Sequence, residues 1–97
     1  MQYSEVSAMQ YVELNIEAWR NEILNLRNNI TFIKWPARRD LKIMIDALEK
    51  KLSHICKEDI ICRRKGKQTD KQAKLCAELI EQKNDVAQYI TFAKLIG

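Results

Sequence analysis

"MQYVELNIEAWRNEILNLRNNI", residues 9–30, carries the pattern that decides the fold. Its apolar side chains Met9, Val12, Ile16, Trp19, Ile23, Leu26 and Ile30 follow one another in alternating steps of three and four. Such steps keep all of them on one face of a helix with about 3.6 residues per turn, where a strand would need steps of two. Ser7 followed by Gln10 fits a capping box at the start, with Ser4 as a second candidate. Pro36 sets the far limit, because the residue before a proline disfavours helical backbone. A first helix is therefore expected over about residues 7–34.

The same rhythm continues beyond the proline. Pro36 suits the first turn of a second helix, and Leu41, Ile45, Leu48, Leu52, Ile55 and Cys62 form its seam. Asp59 falls on that seam between the last two, so the helix either breaks or kinks near "KEDI" or gives the acid a cation. Gly66 is placed to end this helix in the left-handed conformation. Thr69 with Gln72 forms another capping box, and Asp70 suits the positive end of a third helix. The expected spans are 36–65 and 69–95, the third with Cys76, Leu79 or Ile80, Lys83, Val86 or Ala87, Ile90 and Ala93 on its seam.

The three seams match when folded back on one another. Residues 30, 26, 23, 19 and 16 meet 41, 45, 48, 52 and 55, while 45, 48, 52 and 62 meet 93, 90, 86 and 76, and nearly every partner is apolar. With two short connections, this predicts one all-α domain over residues 1–97, an antiparallel three-helix bundle or a helical hairpin with long helices. Composition agrees: two glycines and one proline in 97 residues leave few places to turn, and 46% hydrophobic residues can fill a core. Trp35–Pro36, the single X–Pro bond, is expected trans within the tight turn.

Charge is unevenly spread. Residues 34–67 carry eleven basic and five acidic side chains, while the segment before them is acidic and the one after is balanced. A basic middle favours anionic partners. Arg63, Arg64, Lys65 and Lys67 are the candidate nucleic-acid or anion contacts, at the turn after helix two. They are first a cap and a turn. Acids interrupt the basic residues behind the seam, Arg39, Lys50 and Lys57, with Asp46 placed on that same rear face, and no aromatic residues alternate with the charge for base stacking.

Catalytic and metal chemistry find little support. His54 is the one histidine, and it points away from Cys56 two positions on, so neither zinc nor any other metal or cofactor is expected. Cys62 and Cys76 oppose each other in the predicted register and are expected as a reduced core pair. Asp46 with Glu49, and Glu58 with Asp59, read as ordinary solvated charge. No glycine-rich phosphate loop or nucleophile elbow is present, so an enzyme is not expected. "MQYSEVSAMQ", at positions 1–10, lacks the pattern of a secretory leader, and three cysteines are few, so a reducing cytoplasmic setting is expected. No apolar stretch approaches the roughly 20 residues needed to span a bilayer.

What remains is a surplus of apolar residues at one end. "ITFIK" at 30–34 recurs as "ITFAK" at 90–94, and in the bundle both fall at the same tip. Tyr89, Phe92, Leu95 and Ile96 leave the last turns of helix three apolar all round, more than one face can bury. Phe32, Trp35, Pro36, Arg38, Arg39, Phe92, Leu95 and Ile96 are therefore the candidate partner-binding residues. The expected function is that of a small non-enzymatic helical protein that docks on a larger protein and modulates it, the type seen among phage- and plasmid-encoded regulators of nucleic-acid machinery. If phage-encoded, it would act in the host cytoplasm. Direct DNA or RNA binding through the basic middle is the alternative, and a structural coiled-coil subunit, completed as a homodimer, is the third.

Overall fold

The computed structural model describes residues 15–96, and every regular element among them is an α-helix: α1 (Ile16–Asn29), α2 (Ala37–Lys65) and α3 (Asp70–Ile96). They pack as a three-helix bundle around one core cluster. The seam positions Met9 and Val12 and the Ser4, Ser7 and Gln10 caps lie outside the described residues. Within them, Asn15 starts α1, its side-chain oxygen accepting from the Ala18 N–H at 3.0 Å.

α1 closes at Asn29, five residues short of Lys34. Asn29 donates its side-chain amide to the Asn25 carbonyl, and the Thr31 hydroxyl donates to the Asn28 carbonyl at 2.6 Å. Side chains that bond neighbouring backbone groups weaken the helix ladder, and β-branched Ile30, Thr31 and Ile33 add little helix preference to resist that. The chain then turns with Ile30 and Ile33 both buried, so the residue at the next three-residue step joins the core from the turn rather than from the helix. Pro36 stands one position before α2 rather than inside it, and the Trp35–Pro36 bond is cis, not trans.

α2 runs unbroken past Asp59. Leu41, Ile45, Leu48, Leu52, Ile55 and Cys62 are all buried, as the seam predicted. Gly66 ends the helix at φ 73°, donating its N–H to the Cys62 carbonyl at 2.8 Å. On α3 the inner residues are Cys76, Leu79, Val86, Ile90 and Ala93, and Ile80 and Ala87 face outward. Trp19, Leu26 and Ile16 are only half-buried against the core, so α1 is its least covered wall.

Cross-helix polar contacts fix which residues face which. Arg27 on α1 donates to Asp46 (2.7 Å) and contacts Glu49 (2.8 Å) on α2. Between α2 and α3, Lys51 pairs with Glu78 at 2.8 Å, and Glu58 accepts from Thr69 at 2.7 Å. Between α1 and α3, Glu22 pairs with Lys83, and Asn29 accepts from Lys94 at 3.4 Å. Thus α2 and α3 meet with residue numbers running in opposite order, while along α1 and α3 they rise together. Residues 30–34 and 90–94 therefore share one end.

Candidate interaction site

That shared end is built by the turn after α1 and the last turns of α3. The two ITF segments reach the same burial pattern by different backbones, one in a turn and one in a helix. Ile30 and Ile90 are buried, Ile33 and Ala93 are buried, and Phe32 and Phe92 point out. Phe32 is 91% exposed, Leu95 81%, Ile96 70%, Trp35 63% and Phe92 61%. Each large apolar side chain assigned to this tip from the sequence is thus in solvent, where its hydration opposes exposure.

Between α2 and α3, just inside the tip, lies a cleft of about 850 Å³. Trp35, Pro36, Phe92 and Ile96 line it, together with Ile33, Met44 and Tyr89, which sequence reasoning did not assign to a site. Phe32, Leu95, Arg38 and Arg39 stand outside the lining. Arg39 sits 4.8 Å over the Trp35 ring and reaches Asp40 at 3.6 Å, so the indole carries a cation on one face. Arg38 is exposed and has no side-chain partner among the described residues. Lys34 and Asp85 supply charge within the cleft. The missed signal was there to read: Tyr89, Phe92 and Ile96 form a second three–four stripe beside the seam 86, 90 and 93.

The opposite end is a polar node. Glu58 and Asp59 are buried, a correction to their reading as solvated charge. Asp59 accepts from Arg63 Nε at 2.9 Å and from Gln72 Nε2 at 3.3 Å, so the seam acid does find a cation. Thr69 caps α3, its hydroxyl oxygen accepting the Gln72 N–H at 3.1 Å while donating to Glu58. The capping box is only half closed, because the fully buried Gln72 side chain turns inward to Asp59 and to Cys62, whose Sγ donates to Oε1 at 3.2 Å. Cys62 and Cys76 are buried free thiols. Burial, then the nearby Cys62 and Asp59, push the Cys76 thiol above its ordinary value.

Of the four candidate anion contacts, Arg63 is therefore engaged by Asp59. Arg64, Lys65 and Lys67 are exposed with no ion-pair partner among the described residues. Asp46 and Glu49 are not free charges either: both hold Arg27, so Asp46 turns toward α1 rather than standing behind the seam with Lys50 and Lys57. The hydrogen bond to Asp46 raises the Arg27 guanidinium above its ordinary value, against desolvation and with help from Glu49. His54 is exposed, and no described helix is long and apolar enough to cross a membrane. No protein-family model matches the chain, and no curated protein and no solved structure matches it either.

Proposed function

We propose that this is a non-enzymatic interaction protein of a reducing cytoplasm, which docks on a larger protein through the end bearing Trp35 and Phe92 and modulates it. One observation carries the proposal: Trp35, Phe92 and Ile96 are exposed and line one apolar cleft at one end of the bundle, where Phe32 and Leu95 are exposed as well. Isolated exposed apolar residues are ordinary on protein surfaces, but a contiguous cluster of this kind marks an interaction surface. Trp35, with Arg39 stacked on it, has the chemistry of an interface anchor. Affinity capture with the full chain, with and without nuclease, tests the proposal. Protein partners that survive nuclease and are lost in Trp35→Ala are expected. Retention that nuclease abolishes would contradict it.

A second reading, direct nucleic-acid binding, draws on Arg64 and Lys65 in the last turn of α2 and Lys67 just after it, which are exposed without an ion-pair partner among the described residues. Because Arg63 is held by Asp59, three cations rather than four are available there. Neutralising those three should lower the slope of log affinity against log salt by about 2–3 units if each meets a DNA phosphate. An unchanged slope would leave the stretch as a solvated turn.

A further inference from the structure

We infer that the cleft between α2 and α3 seats an amphipathic helix of the partner protein, one whose apolar face fills the cleft and whose flanks are acidic. This deepens the docking proposal and rests on it. The α3 wall of the cleft runs from Asp85 to Ile96, about 16 Å at about 1.5 Å per residue, which is three turns of an incoming helix. Along that wall Tyr89, Phe92 and Ile96 recur at the steps by which helices interlock their ridges. Ile33, Pro36 and Met44 form the facing wall. Lys34, Asp85 and Gln88 are the polar side chains of the lining. An extended peptide would leave its N–H and C=O groups against apolar walls, whereas a helix satisfies its own.

Charge selects the flanks. At the Trp35 end Lys34 lines the cleft, Arg39 lies over the Trp35 ring that also lines it, and Arg38 stands exposed beside them, against Asp40 there and Asp85 where the α3 wall begins. A helix bearing Glu or Asp beside its apolar stripe gains from that mouth. A flat anionic lipid surface would meet the cations but leave the cleft unfilled.

The test uses the full chain and two synthetic amphipathic peptides of about 16 residues, matched to three or four helical turns. Both carry the same Leu and Phe stripe, and their polar faces are Glu in one and Lys in the other. Phosphatidylglycerol vesicles are the third arm. The Glu peptide should bind about tenfold more tightly at low salt, with the gap shrinking as salt rises. Amide shifts should centre on Met44, Tyr89, Phe92 and Ala93. The exposed double variant Lys34→Glu/Arg38→Glu should invert the preference, and Phe92→Glu should weaken both peptides, with circular dichroism unchanged in each. Equal binding, binding of neither peptide, shifts centred on another face, or capture by vesicles without occupancy of the cleft would each overturn the inference. Loss of partner capture in Trp35→Ala alongside any of those results would sink the acidic helix and leave docking standing. Unimpaired capture in that variant would sink docking itself.

Discussion

Asp59 occupies a position where the rhythm of α2 calls for an apolar residue, and its neighbours across the turn explain how the helix tolerates it. Gln72 and Arg63 satisfy its two oxygens, while Thr69 donates to one oxygen of Glu58 beside it and Lys71 lies 4.0 Å from the other. Asp59→Ala leaves Gln72 buried with its amide unpaired, which costs about 1–3 kcal/mol. In urea unfolding, Asp59→Ala should lose that much, while Asp59→Leu with Gln72→Leu should recover most of it, since replacing both partners by apolar groups is nearly neutral. A double variant as weak as the single one would show that the node does not work as a pair. The violation at Asp59 was legible in the sequence, but its partner was not. Gln72 read as a capping residue, and only the fold brings it against residues 59 and 62. Cys76 adds a pH prediction. Its thiol is raised above 9.0 in the native state, so the folded chain keeps a proton that the unfolded chain releases. That contribution is complete below the unfolded value and falls as pH rises through and beyond it. Stability measured from pH 7 to 10 should therefore fall less steeply in Cys76→Ala than in the natural chain.

At the scale of the helices, the seam of α2 was the most legible feature, because each of its apolar positions lies in the core. Leu52→Ala should cost about 2–5 kcal/mol, and a loss under about 0.5 kcal/mol, the scale of surface changes, would contradict its placement. α1 ends five residues before the limit that Pro36 sets in the sequence. Pro36 gave an outer limit, but the Asn and Thr side chains at 28–31 compete locally for backbone groups, and the apolar period alone hides that competition. Gly66 was placed correctly from its type, since a left-handed residue closing a helix favours glycine. Gly66→Ala meets open space yet keeps φ at 73°, so it should destabilise by about 1 kcal/mol through backbone strain. A neutral outcome in thermal unfolding would mean that α2 can end another way.

Across the whole molecule, the two ends differ in kind. One is tied by buried carboxylates, thiols and an amide, and the other leaves aromatic and aliphatic side chains in water. The sequence made the second end legible, because Tyr89, Phe92, Leu95 and Ile96 could not all face one core. It did not show the cleft, which exists only where Met44 and Pro36 come to stand opposite Tyr89 and Ile96. Asp59 and Arg63 stand four apart on α2, a spacing that already allows the ion pair, and that pair leaves a thinner basic footprint than composition suggests. The central claim is that the Trp35 end is a surface for a protein partner rather than a lid on the core. Trp35→Ala tests it most directly, with partner affinity and melting temperature measured on the same preparation. An affinity loss of about 2 kcal/mol or more is expected, with an almost unchanged melting temperature. Unfolding of the variant, or partner binding that is left intact, would contradict it.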